Sequence, residues 1–322
     1  MGYNMANKTV IITGSSVGLG YECAKNIARA NEGWFIIIAS RNKERNLIAV
    51  DSIKKETGYD DIEQMELDLA SFQSVRKFAT EFKAKSYSPL QGIICNAGVH
   101  YKKETVLTKD GIEATFGVNH LGHFLLVNLL LEKMTPPARI IFVSSDVHDP
   151  TNKTGMPNPK YQKPYDMAFP KDKIISESTG PMRYSTSKLC NIYCTYELSG
   201  RLNQQGINTK QKPITVNAFN PGMMPGSGLA RDYNSFSRFM WKYILPVLTL
   251  IKPEVKTTKQ SGKALARLLL DKELIETTSK YFDGYKEKTS SIDSYNKENA
   301  LELWEESVKL VNLKQEETIL KL

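Results

Sequence analysis

Lys8-Thr-Val-Ile-Ile-Thr13-Gly14-Ser-Ser-Val-Gly18-Leu-Gly20-Tyr21-Glu-Cys-Ala24-Lys-Asn-Ile27-Ala28 is the stretch whose reading decides the fold. Lys8 to Thr13 is short, apolar and β-branched, which predicts a strand. Three glycines follow at once, and Tyr21, Ala24, Ile27 and Ala28 then recur at helical spacing. Strand, glycine turn and helix in that order is the context in which a glycine pattern reads as a dinucleotide site. The glycines let the backbone approach a pyrophosphate, and the helix start offers unpaired N–H groups and the positive end of its dipole. The spacing is Gly-x-x-x-Gly-x-Gly, not Gly-x-Gly-x-x-Gly. Glycines alone would also suit a tight loop without a ligand. The strand ahead of them favours the nucleotide.

Outward from this unit, strands keep alternating with helices. Trp34 to Ala39, Ile62 to Leu67, Gly92 to Cys95, Arg139 to Val143 and Pro213 to Phe219 read as strands two to six, with Tyr281 to Tyr285 as a short last one. Helical runs start near Phe72 and cover Thr115 to Met134, Arg183 to Ser199, Lys259 to Leu270 and Asn299 to Leu310. This predicts α/β class: one doubly wound, Rossmann-type parallel sheet with helices on both faces, as a single domain over 1–322. A chain of 322 residues, 41% hydrophobic, is long enough to bury the core such a sheet needs.

Two stretches break the alternation. Residues 146–182, rich in Pro, Lys, Asp and Ser, read as a polar insertion or lid. Residues 226–252 contain the bulky apolar run Ser235 to Ile251, interrupted by Arg238, Lys242 and Pro246 and short of the ~20 residues a spanning helix needs. Lid, interfacial membrane patch and buried core all suit it. A lid with peripheral membrane contact through 235–251 is the favoured reading.

Composition excludes several classes. The excess of 43 basic over 35 acidic residues is diffuse and suits an anionic cofactor or a membrane surface, with nothing that reads as a nucleic-acid module. Cys23, Cys95, Cys190 and Cys194 lack metal or disulfide spacing, so no metal is expected and a reducing compartment is. The first residues lack an apolar signal core, which points to a cytoplasmic protein.

The chemistry-bearing candidates sit at strand ends. Ser40-Arg41 closes the second strand with no acid for ribose hydroxyls and with a planar two-pronged donor suited to a 2′-phosphate, which favours NADP(H) over NAD; Arg41 also begins a solvated charged run. Asp68-Leu69 closes the third, where the carboxylate can meet an adenine amine or cap the next helix. Asn96-Ala97-Gly98 turns out of the fourth. His120 and His123 have no nearby acid and read as packing residues. On the Arg183 to Ser199 helix, Tyr184 and Lys188 stand one turn apart on one face. A phenol beside an ammonium makes a proton donor that works near neutrality.

Thr13-Gly14-x-x-x-Gly18-x-Gly20, Asp68, Asn96-Ala97-Gly98, Asn119, Ser145, Tyr184-x-x-x-Lys188 and Pro221-Gly222 together resemble the short-chain dehydrogenase/reductase family over nearly the whole chain. Asp68-Leu-Ala-Ser71, Val118-Asn-His-Leu-Gly-His-Phe124 and Ser261-Gly-Lys-Ala-Leu-Ala266 look most like its branch of protochlorophyllide oxidoreductases and retinol-dehydrogenase-like enzymes, and Trp304-Glu-Glu-Ser-Val-Lys-Leu-Val311 like the former. The resemblance implies that Tyr184 donates the proton, Lys188 assists it and holds the nicotinamide ribose, Ser145 polarises the substrate oxygen, and Asn119 anchors a water. It puts Gly14, Ser16, Gly18, Leu19, Gly20, Arg41, Asp68, Leu69, Asn96, Ala97, Gly98, Tyr184, Lys188, Pro221 and Gly222 on the cofactor.

The implied activity is hydride exchange between NADPH and a bulky apolar carbonyl or alcohol. Light-driven reduction of protochlorophyllide is the alternative, and a catalytically silent nucleotide-binding protein a weaker one. Two positions depart from the pattern: Met223 stands where protochlorophyllide enzymes have Cys, and Gly226 where much of the family has Thr. Substrate, reaction direction and oligomeric state are not encoded in any readable motif.

Overall fold

A computed structural model describes residues 6–102, 104–171, 176–224 and 256–322. The apolar 226–252 segment, with its 235–251 run, therefore lies wholly outside the described residues.

The strands β1 (Lys8–Thr13), β2 (Trp34–Ser40), β3 (Ile62–Glu66), β4 (Leu90–Cys95), β5 (Met134–Val143), β6 (Ile214–Asn220), β7 (Lys280–Asp283) and β8 (Lys286–Lys288) form one sheet in the order β3-β2-β1-β4-β5-β6-β7-β8. All neighbours are parallel except β7 and β8. The chain builds outward from β1 to β3, then returns to lay β4 on the other side of β1. That reversal splays the connections apart above β1 and β4 and opens a crevice at the carboxyl ends of the strands.

Successive strand residues feed opposite cores, as the period of two requires. Val10, Ile12, Ile36, Ile38, Ile94 and Ile141 pack with α1 (Gly18–Ala30), α2 (Lys43–Thr57) and, later in the chain, the helix Thr258–Leu270. Ile11, Ile37, Ile93, Ile140 and Phe142 point the other way. There they meet α3 (Phe72–Ala84), α4 (Ala114–Lys133), the short α5 (Pro164–Ala168) and α6 (Thr179–Gln204). The helix Thr258–Leu270 is α7, and α8 (Lys297–Leu310) closes the second face. Trp304 of α8 meets Phe124 of α4 edge-on at 4.8 Å.

Among the described residues α4 is the one helix long and apolar enough to cross a membrane, yet it is buried along that length, as a core helix is. Within it Gly117–Leu121 is a π-helical turn. Two boundaries differ from expectation. The last parallel strand stops at Asp283 because Gly284, at φ 60°, turns the chain back into β8, a hairpin partner too short and charged to show a pattern. The polar insertion is not wholly irregular: it contains α5 and gives its end, from Thr179, to α6.

Candidate active site

The crevice above β1 and β4 is a cleft of about 660 Å³. At one end α1 begins without a side-chain cap: Val17 offers no acceptor, and the first turn holds no acid. The first-turn N–H groups are thus left for an anion. Gly14 and Gly18 turn the chain at φ 63° and 66°, a region costly for any residue with a Cβ. At Gly14 a Cβ would also lie 2.8 Å from the Ala97 Cα. The turn is stitched to β4: the Thr13 hydroxyl accepts the N–H groups of Asn96 and Ala97, both at 2.9 Å, and the Asn96 amide donates to the carbonyls of Thr13 (2.8 Å) and Gly14 (3.2 Å).

Gly14, Ser16, Gly18, Leu19, Asn96, Ala97 and Gly98 line the cleft. Gly20 does not. It is buried under the turn, where a Cβ would come within 2.6 Å of the Asn96 Nδ2 and 2.8 Å of the Ser15 Cα, so its place in the motif comes from packing.

At and beyond the ends of the adjacent strands β2 and β3, Ser40, Arg41, Asn42 and Arg45, and Asp68, Leu69 and Ala70, line the cleft. Arg41 is exposed. Asp68 does not cap α3; Ser71 does, accepting the Ser74 N–H at 3.3 Å. The Asp68 carboxylate instead accepts the Ala70 N–H at 3.1 Å and pairs with Lys109 at 3.0 Å. That fixes it where it lines the cleft.

At the other end α6 brings Tyr184 and Lys188 into the cleft, which Ser145, just past the end of β5, also lines. The Lys188 Nζ is 5.3 Å from the Tyr184 ring centre and donates to the Val143 carbonyl at 3.1 Å. That carbonyl also accepts from the Asn191 amide at 3.1 Å. Burial disfavours the ammonium and brings Lys188 down to about 8. The Ser144 hydroxyl donates to the Lys188 carbonyl at 2.7 Å and ties the strand end to α6. The His100 ring lies 5.0 Å from that of Tyr184.

Asn119 is fully buried behind the cleft wall and does not line it. Its amide oxygen accepts the Val99 N–H (2.8 Å), and its amide nitrogen donates to the Val99 carbonyl (3.1 Å) and the Ser187 hydroxyl (2.9 Å). Its own carbonyl meets His123 Nδ1 at 3.1 Å. A carbonyl only accepts, so Nδ1 carries the hydrogen and Nε2 accepts from the Thr13 hydroxyl at 2.8 Å. His123 thus links the glycine turn to Asn119. Burial lowers His120 to about 3 and His123 to about 4, keeping both neutral. No cluster of metal-ligating side chains occurs among the described residues.

Sequence reasoning missed the residues around Ser145. Its hydroxyl donates to the Asp146 carboxylate at 2.9 Å. His148 Nδ1 sits 2.6 Å from the Ser145 carbonyl and Nε2 accepts the Ser291 N–H at 3.0 Å, which fixes the neutral tautomer and anchors the loop. The Ser-Ser-Asp-Val-His order was the only available signal. Pro221 and Gly222 line the cleft, as do the unanticipated Val99, Val147, Met156 and Met224, and the exposed Met223. Gly226 lies outside the described residues.

Residues 8–156 match the family model described as short chain dehydrogenase. The chain is 35% identical over 312 residues to a WW domain-containing oxidoreductase of Gallus gallus, covering 96% of this chain and 69% of that protein. It is 35% identical over 309 residues to retinol dehydrogenase 13 of Homo sapiens, covering 95% of this chain and 85% of that one. Among solved structures, an uncharacterized protein from Mycobacterium paratuberculosis superposes with a TM-score of 0.69 at 26% identity, covering 98% of this chain and 96% of that chain.

Proposed function

The chain belongs to the short-chain dehydrogenase family of oxidoreductases, and we propose that it moves hydride between NADP(H) and a carbonyl or alcohol on a bulky apolar substrate. The observation that carries this reading is the buried Lys188 ammonium beside the Tyr184 ring in a cleft that Ser145 also lines.

The cleft fits a dinucleotide. The uncapped, acid-free start of α1 and the positive-φ glycines before it suit a pyrophosphate. Arg41 and Arg45, at a β2 end without an acid, suit a 2′-phosphate. Asp68 would face the adenine, and Pro221 and Gly222 the nicotinamide end. A bound nicotinamide supplies the hydride.

The rest is the work of this chain. Tyr184 would hold its phenolic proton against the substrate oxygen and give it up as charge builds there. The Lys188 ammonium would favour the phenolate left behind and reach the nicotinamide ribose. Ser145 would hydrogen-bond the same oxygen. Asn119 would act from behind the wall, holding Ser187 and the Val99 loop so that Tyr184 and Lys188 keep their places. Val99, Val147, Met156 and Met224 give the substrate end its apolar character.

The test is Tyr184→Phe, assayed for NADPH binding by cofactor fluorescence and for NADPH oxidation with a panel of retinoid, steroid and aryl carbonyls. Binding should persist while turnover falls by roughly 10²–10⁴-fold. Unchanged turnover would refute the assignment.

A further inference from the structure

Asp146 has no part in the chemistry above, yet it stands beside the reacting centre. It follows Ser145 directly, opens the one-turn helix Asp146–His148 and lines the cleft with Ser145 and Tyr184. Its backbone carbonyl is used, accepting the Asn152 amide and the Asp149 N–H, both at 3.1 Å. Its carboxylate is not. Among the described residues it takes one hydrogen bond, from the Ser145 hydroxyl at 2.9 Å, and joins no ion pair, whereas Asp68 at the far end of the same cleft is paired with Lys109. A carboxylate has room for about four hydrogen bonds and gains most from donors when its surroundings are apolar.

The single bond also spends the only hydrogen Ser145 has. While that hydrogen points at Asp146, Ser145 can accept but cannot donate to a substrate carbonyl. A ligand hydroxyl donating to Asp146 takes up part of the carboxylate's charge and weakens its hold on that hydrogen, so that Ser145 can turn it to the substrate carbonyl. We propose that Asp146 is a specificity-determining residue that selects substrates carrying a hydroxyl close to the reacting oxygen, as in α-hydroxy ketones and vicinal diols, and turns away those carrying a carboxylate there. The two anchors are 2.9 Å apart. Oxygens bound to each at ordinary hydrogen-bond lengths would lie about 3–5 Å from one another, a span that neighbouring or next-neighbouring carbons supply.

This rests on the carbonyl reductase reading of the cleft, so the test separates the two. NADPH oxidation is followed with acetylnaphthalene, hydroxyacetylnaphthalene and naphthylglyoxylate, for the unaltered protein, Asp146→Asn and Asp146→Ala. Binding of naphthylethanol and the matching naphthyl vicinal diol is measured by calorimetry on the same proteins. A hydrogen bond to a charged group predicts at least about a tenfold kcat/KM preference for the hydroxy ketone in the unaltered protein. In Asp146→Ala that preference should vanish, with plain ketone turnover rising, and Asp146→Asn should recover part of the glyoxylate. A preference near one at the outset, or one that survives Asp146→Ala, overturns the proposal. If no variant reduces any ketone, the reductase reading fails. The calorimetry then decides for Asp146 alone: tighter diol binding that Asp146→Ala removes supports it, and equal binding of diol and mono-alcohol overturns it.

Discussion

Replacing Lys188 by Met should make the ligand-free protein more stable while stopping turnover. Burial lowers Lys188 from 10.5 to about 8, a difference of 2.5. At about 1.4 kcal/mol for each pH unit, the folded protein carries a penalty of roughly 3 kcal/mol for keeping this charge below pH 8. Met fills similar space without charge. The lost hydrogen bond from the ammonium to the Val143 carbonyl costs about 1.5 kcal/mol, and no orphan is left because Asn191 still donates to that oxygen. The net gain is about 2 kcal/mol at pH 7.

With an unfolding entropy of about 0.7 kcal/mol/K for a chain of 322 residues, Tm should rise by about 3 °C. The pH dependence gives a second check. Between pH 8 and 10.5 the unfolded lysine holds a proton the folded one has released, so the unaltered protein gains stability as pH rises. The advantage of Met should therefore shrink toward pH 10. Calorimetric scans at pH 7 and pH 10 measure both. A lower Tm for Lys188→Met at pH 7, or a gain undiminished at pH 10, would refute the reasoning.

Arg41→Ala should weaken NADPH binding by about tenfold or more while leaving NADH binding nearly unchanged, since a lost charge-assisted contact is worth roughly 1.5–3 kcal/mol and NADH has no 2′-phosphate to lose; fluorescence titration with both cofactors reads it. Gly20→Ala should destabilise the chain by about 1–3 kcal/mol in urea, because its methyl would press on the Ser15 backbone and the Asn96 amide. Buried neutral His120 and His123 titrate far below the ordinary 6.5, so between pH 6.5 and about 4 the unfolded chain binds the protons they refuse. Stability should drop by about 2–3 kcal/mol from pH 6 to pH 5 through these two, and His120→Met should flatten that slope in urea midpoints taken at each pH.

The parts of this protein that could be read from sequence are those where chemistry acts on near neighbours along the chain. Lys8 to Gly20 carries its own strand, turn and helix signals, and Tyr184 and Lys188 meet because four residues make about one turn. Contacts between distant segments leave no such trace. That Gly20 packs under the Asn96 amide, and that the Asn119 amide donates to Ser187, depends on β4 and α6 being brought to them by the fold. Asp146 was legible only as one more polar residue opening an insertion; what gives it meaning is the 2.9 Å to the Ser145 hydroxyl in the cleft that Tyr184 also lines. Tyr184, Lys188 and Ser145 in one cleft argue for the kind of reaction, and the acid beside Ser145 argues for what the reaction is done to.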